Sequence, residues 1–402
     1  MKSGVAAFAV VLMATACVSG NGETPTTNAR ISAPTIATTT LGSTSPPQPS
    51  TTSANETLTP GVEVERRTPN ELLALIPDDP EYRSNVWIID YEMTEQVIGS
   101  ARSSPGGPLE DYWLDDSGPL DPGWFFSHVI SGSDLEVFEE EFGLEISEVE
   151  QEILVGEFGE EISVLVGHWD PNHVDSTIKN HRTWGELVEV SSSDGIVIYD
   201  WGTRNLVSEA SPARPSGRAG VLVSDVSEEP LVLVRARTMG EVQPFVDLLA
   251  GGGASLSEVP QFSELARRLA DVGASTIFLS DTPPRRTEGI VRSQLDNVYL
   301  SPYTHIGLGR LTTENGWVSA LVLAHADTEA AAENALRIQL QIENGGGFGG
   351  PLIDLFSVLS LELDGTYLIV TLGSPDQRDS WRRLLFEWRD ASALFQIDDR
   401  TG

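Results

Sequence analysis

Cysteine is almost absent: Cys17 is the only one in 402 residues. A disulfide would therefore need a partner in another molecule. A metal site or catalytic thiol would need His and acidic neighbours that the stretch VLMATACVSG does not supply. Lysine is nearly as scarce, with Lys2 and Lys179 alone, so Arg carries the remaining positive charge. Against 25 Lys and Arg stand 60 Asp and Glu, a formal net charge of −35. Such a chain repels phosphate backbones and anionic headgroups, which argues against nucleic acid as a partner. Long apolar runs are missing too, none reaching the roughly 20 residues that cross a hydrocarbon core of about 30 Å.

Motifs that carry chemistry are equally sparse. No H-E-x-x-H, G-x-S-x-G, or D-x-[DN]-x-[DN]-G pattern occurs, and the glycine-rich stretches 250–255 and 345–350 lack the G-K-[ST] of a phosphate loop. No cofactor and no metal site is implied. Ser176 and Lys179 fit S-x-x-K on an expected helix, with Ser193-Asp194-Gly195 and Arg400-Thr401-Gly402 echoing the other elements of penicillin-recognising enzymes. Ser193 follows too soon to admit that family's all-helical region, so a chance polar helix face is the better reading. His168, Asp170, His173, Asp175 and His181 crowd one strand–helix junction without zinc-site spacing, and read as polar residues around a cap. His128 and His305 stand alone.

What is present begins at the N-terminus. Lys2 precedes a mostly apolar, uncharged run that ends in small residues before Cys17, the layout of a secretory signal over residues 1–16. Met13-Ala14-Thr15-Ala16-Cys17 resembles a bacterial lipobox, with Ala14 where leucine is commonest. The resemblance implies that Cys17 becomes the first mature residue and carries the lipid anchor, with further acylation (palmitate or similar) of its amino group. One acyl chain anchors marginally, at about 0.8 kcal/mol per buried CH2, and two or three hold stably. Val18 stands where diderm bacteria commonly place the Asp that retains lipoproteins in the inner membrane.

Residues 17–67 then read as a tether. Thr, Ser and Pro dominate and aromatics are absent, so the segment cannot bury enough surface to offset its ordering. At about 5–6 Å times the square root of its length, it would hold a domain roughly 40 Å from the bilayer.

From Thr68 onward β-branched runs and helical periodicities appear. Strands are expected at 85–91, 150–156, 162–169, 195–201, 219–226 and 230–237, and helices at 133–143, 170–181, 241–251 and 260–273. The second half repeats the order: a strand at 275–281, a hairpin at 304–326, a helix at 327–344, a hairpin at 356–373 turning at Asp364-Gly365, and a closing helix at 374–391. SVLVGHWDPNHVDSTI and SALVLAHADTEAAAENAL both run strand, His, spacer, Asp, helix, which makes Asp170 and Asp327 expected N-caps and His325 the mirror of His168. The expectation is an α+β fold built from a duplicated unit. Each unit carries a mostly antiparallel sheet with helices on one face, ferredoxin-like in character, with halves at 68–273 and 274–402. Residues 109–132 have no counterpart in the second half and read as an insertion. Its Tyr112, Trp113, Trp124, Phe125 and Phe126 are the candidate binding residues, the alternative being that they plug the sheet.

At LLALIPDDPEYRSNVWIIDY, and again at the strand–His–x–Asp junctions, the chain resembles uncharacterised envelope lipoproteins of high-GC Gram-positive and related bacteria. That resemblance implies a lipobox, a Thr/Ser/Pro tether and one large extracytoplasmic domain, with no known activity. The expected function is a non-enzymatic binding or structural module, anchored by lipid to the cell membrane or outer membrane. Its partner would be an envelope protein, a glycan or a small molecule. An envelope hydrolase and the solute-binding component of an importer are the alternatives.

Overall fold

The computed structural model describes residues 66–93, 135–145, 148–156, 162–202, 220–227, 229–284, 299–313, 316–347, 350–373 and 394–397, together with Trp381, Leu384, Glu387 and Trp388. All of them belong to one compact unit, Glu63–Gly402.

Largely apolar runs make most of the strands. β1 (Val86–Asp90), β2 (Val149–Val155) and β3 (Ile162–Gly167) form a meander. α3 (Leu135–Phe142) precedes β2, and α4 (Pro171–Asn180) follows β3. β4 (Glu189–Ser193), β5 (Ile196–Asp200), β6 (Val221–Asp225) and β7 (Leu231–Ala236) complete the first half. Ahead of β1 stand two short helices, α1 (Pro69–Leu73) and α2 (Pro80–Arg83); behind β7 come α5 (Met239–Leu249) and α6 (Pro260–Asp271). The second half contains β8 (Thr276–Ser280), β9 (His305–Thr313), β10 (Gly316–Ala324) and α7 (Thr328–Asn344). A two-stranded ribbon of β11 (Gly346–Gly347) and β12 (Gly350–Pro351) follows, then α8 (Leu352–Leu355), β13 (Ser357–Asp364) and β14 (Tyr367–Gly373).

Among the described residues these strands build one twelve-stranded sheet in the order β13-β14-β10-β9-β8-β1-β2-β3-β7-β6-β5-β4. Every neighbouring pair is antiparallel. The α+β class and the antiparallel sheet are as the sequence implied. The halves traverse the sheet in the same order, β1-β2-β3-β7-β6 against β8-β9-β10-β14-β13, and join at an antiparallel β1–β8 seam where Trp87 faces Phe278 and Ile88 faces Ile277.

The helices are distributed over both faces, a feature that the periodicity of single helices did not reveal. β3 and β8 are buried at every position, so each face needs cover. On the first face, Val174 and Ile178 of α4, Ile338 and Ile342 of α7, Trp381 and Leu384 pack with Leu165 and Phe278. On the second, Leu72 and Leu73 of α1, Val242 and Phe245 of α5, and Phe262, Leu265 and Leu269 of α6 pack with Val164, Val166, Ile277 and Leu279. Each such fully buried side chain contributes about 1.5–3 kcal/mol. The repeat ends at its last helices: α5 lies on the second face, whereas Trp381 and Leu384 lie on the first. α6 already covers β8, β9 and β10 on the second face, which leaves the first face of that half for the closing residues. Gly307 and Gly309 permit this, since a Cβ at either would stand within 3 Å of Leu269 in α6.

Local signals are realised as capping chemistry dictates. Asp170 accepts from the Asn172 amide at 2.9 Å and Asp327 from the Ala330 amide at 2.8 Å, both N-caps. The second-half hairpin turns one residue later than expected, at Gly365-Thr366, between paired Asp364 and Tyr367. Asp194 (φ 52°) and Gly195 (φ 86°) both take left-handed backbone and close a tight β4–β5 hairpin. Ser193-Asp194-Gly195, the second element of the penicillin-type motif, is thus a hairpin turn.

Candidate functional site

The sequence-derived candidates Cys17, Tyr112, Trp113, Trp124, Phe125 and Phe126 lie outside the described residues, as does His128. The described tryptophans whose side chains are placed serve the interior: Trp87 packs against Phe278 at 4.5 Å between ring centroids and against Trp381 at 6.2 Å, and Phe142 meets Trp201 edge-on. Among the described residues no group of three or more His, Cys, Asp or Glu is arranged to hold a metal ion, and no helix is long and apolar enough to cross a membrane.

The apparent S-x-x-K pair does not meet. Ser176 Oγ donates to the His173 carbonyl at 3.0 Å, while Lys179 Nζ pairs with Asp175 at 2.7 Å. His181 ends α4, its Nδ1 accepting from the Thr183 and Trp184 amides. His168 and His325, mirrored in sequence, differ in surroundings. His168 is partly exposed between Glu150 and Glu229, at 3.5 Å from each. His325 is buried, with Nε2 on the Asn334 amide at 2.9 Å and Nδ1 on the Thr366 carbonyl at 3.1 Å. Burial holds His325 and His305 below the ordinary imidazole pKa.

Chemistry-bearing groups converge at one place, the C-terminal end of β1 and the adjoining start of β2. Strand alternation sends neighbouring residues to opposite faces there, Ile89 pairing with Glu152 and Asp90 with Gln151. On the second face Asp90 accepts from the Met93 amide at 2.7 Å and from Gln151 Nε2 at 3.1 Å, with Arg66 at 3.5 Å. Burial raises its pKa, and these hydrogen bonds and Arg66 oppose the rise. Asp90, Gln151 and Ser275 edge a cavity of about 60 Å³ whose remaining wall is apolar, including Leu72, Ile88 and Ile277. Gln151 Oε1 and Ser275 Oγ find no partner among the described residues. The cavity has room for a few waters, far below the roughly 300–1,000 Å³ of an ordinary small-molecule pocket.

On the first face Glu152 is fully enclosed at 0 % exposure. Its Oε2 accepts from the Tyr91 hydroxyl at 2.6 Å and its Oε1 from the Ser163 hydroxyl at 2.8 Å. Arg235 of β7 stands close enough to attract both Glu152 and Glu141 of α3, the latter more strongly. Burial pushes the Glu152 carboxyl up to about 7, against the pull of its two hydroxyl donors and Arg235. Burial likewise brings Arg235 down to about 10, so it keeps its charge at neutral pH. The Glu152 carboxyl can hold or release one proton near neutrality from an enclosed position.

Sequence reading missed this group. Glu152 in EQEILVG and Arg235 in LVLVRAR each interrupt an apolar strand at an inward position, and that interruption is the available signal.

No protein-family model matches the chain, and no curated protein does. Among solved structures, crystal form III of TP0453 shares 9 % identity at a TM-score of 0.36, covering 76 % of this chain and 94 % of that one. Crystal form I of TP0453 shares 10 % identity at a TM-score of 0.37, covering 75 % of this chain and 92 % of that one. A likeness of that degree leaves the reading of the site to the residues themselves.

Proposed function

We propose that this protein is a cell-envelope lipoprotein held to the outer face of a membrane through Cys17, acting as a non-enzymatic binding or structural module. The observation that carries the reading is the single cysteine of the chain standing directly after a charged, apolar and small-residue run. The arrangement of the described residues supports the non-enzymatic part. Their ionisable cluster is enclosed, and the cavity beside it is too small for an ordinary substrate. The specific ligand would be an envelope protein, a glycan or a small molecule, recognised outside the enclosed cluster.

The test is detergent partitioning of the protein expressed with its own N-terminus in a bacterial host. The wild type should enter the detergent phase, and Cys17→Ser should stay in the aqueous phase or accumulate unprocessed. Equal partitioning of both forms would refute the lipid anchor.

A further inference from the structure

The internal repeat leaves one sheet face without the helix that its counterpart has. In the first half α5 packs on β7 and β6, and on that second face Val232, Val234 and Ala236 of β7 and Val221 and Val223 of β6 are buried. β14 and β13 hold the equivalent places in the second half. There Tyr367, Ile369 and Thr371 of β14 are only half-buried, and Leu359 of β13 is 57 % exposed. Alternation along β14 sends Leu368, Val370 and Leu372 into the first-face core and Gly373 the other way. A Cβ on Gly373 would stand 3.1 Å from Leu359, which puts Leu359 on the second face. Ser360 donates to Thr371 across the same floor at 2.9 Å, and Glu362 stands opposite Ile369 at its outer edge. Among the described residues α6 meets this floor at Tyr367, where Arg268 lies over the ring at 4.3 Å and bonds Asp364 at 2.7 Å. Two strands beyond that boundary make an open strip about 10 Å wide, the diameter of one helix.

We propose that this strip is a docking surface for an amphipathic helix of a partner protein, which takes the place that α5 takes in the first half. α5 shows the pattern such a helix needs. Its Val242, Phe245, Val246 and Leu249 meet the second-face core at a spacing of i, i+3, i+4 and i+7. Charge selects a basic partner, because Asp364 is already held by Arg268 whereas Glu362 is exposed at the rim. A second copy fits poorly. Leu336 and Leu340 are exposed on α7, but Glu329 and Glu343 lie one heptad to either side of Leu336 on the same helix face and would set acid against Glu362. A net charge of −35 also opposes self-association. The docking surface rests on the binding-module reading given above, and a test on unlipidated protein fails without touching the lipid anchor.

The probe is a synthetic helix of about four turns, with Leu at the α5 spacing and Lys and Arg on its flanks. Its binding to the full chain bearing Cys17→Ser is read by fluorescence anisotropy. Binding should saturate, and a scrambled peptide of equal charge should bind at least about tenfold more weakly. Leu359→Ser should weaken binding about tenfold and Glu362→Lys about fivefold. Leu363→Ser should leave it unchanged, since Leu363 is 47 % exposed on the same strand but pairs with Leu368 on the first face. In the protein without these strand substitutions, a photoreactive group within the peptide's apolar stripe should cross-link to residues 357–373. Absence of saturable binding, equal loss in Leu363→Ser, or cross-links confined to other segments overturns the docking surface. So does a dimer seen by sedimentation that Leu359→Ser abolishes, which would assign the strip to a second copy. The cross-link decides the matter should a variant fail to fold.

Discussion

Replacing Glu152 by Gln should make the protein more stable at alkaline pH than the wild type and should change the slope of stability against pH. The carboxyl is enclosed, and burial lifts its pKa from 4.5 to about 7. Between those values the folded protein holds a proton that the unfolded chain has lost. Stability therefore falls with rising pH, by about 1.4 kcal/mol per unit. The contribution is fully present below about 4.5 and lost as pH passes through about 7, for a total of about 3 kcal/mol. Gln imitates the protonated acid in shape and carries no charge, so the variant lacks this slope while keeping a hydrogen-bonding group for Tyr91 and Ser163. His305 and His325 act in the opposite sense: their depressed pKa values cost stability as pH falls below the ordinary imidazole value. Their contribution is common to both proteins and cancels in the difference. Urea denaturation at a series of pH values, from about 4 to about 8, measures it directly. Wild type minus variant should drift by about 3 kcal/mol against the wild type over that range. Parallel curves would refute the reasoning, because they would mean that the carboxyl titrates alike folded and unfolded.

Two further substitutions test how the elements are held. Thr238 and Glu241 form a reciprocal cap on α5, the Thr238 amide donating to Glu241 at 2.8 Å and the Glu241 amide to Thr238 Oγ1 at 3.3 Å; Thr238→Ala should cost about 1 kcal/mol in urea midpoint analysis at unchanged m-value. Asn334 is buried and bonds the Ser301 amide at 2.7 Å, the Ser301 carbonyl at 2.9 Å and His325 at 2.9 Å, so Asn334→Ala should cost about 3 kcal/mol, measured the same way, by leaving those groups unpaired.

Much of the sheet was legible because its strands are continuous apolar runs bounded by turn residues. VWIID, ISVLVG, LVLVRA and TIFLS all form strands within a residue or two of their expected limits. Asp170 and Asp327 were legible as N-caps because a short acceptor side chain ahead of an apolar-periodic segment has few other uses. β4 was not legible. Its EVSSS is exposed throughout and has no apolar side to bury; backbone pairing with β5 alone places it, and Asp194-Gly195 supplies the turn. The two-sided cover of the sheet was written in the same apolar runs. A strand that is apolar at every position cannot leave a face to water, whereas one packed on a single side would alternate. Periodicity counts read the helices one at a time and could not assign each to a face.

The buried charges show where such reading stops. Glu152 and Arg235 are recognisable in sequence as charges at inward strand positions, but their meeting depends on the order β2-β3-β7, in which β7 crosses over to pair with β3. Nothing local to either strand encodes that crossover. The aromatic candidates of 109–132 lie outside the described residues, yet the residues that flank the longer undescribed stretch 94–134 are informative. The chain enters it after Met93, whose amide is held by Asp90, and leaves it at α3, whose Glu141 is buried. The entry point thus rests on Asp90, a carboxylate whose pKa burial raises, and Glu152, raised by the same cause, lies on the opposite face of the same strand pair.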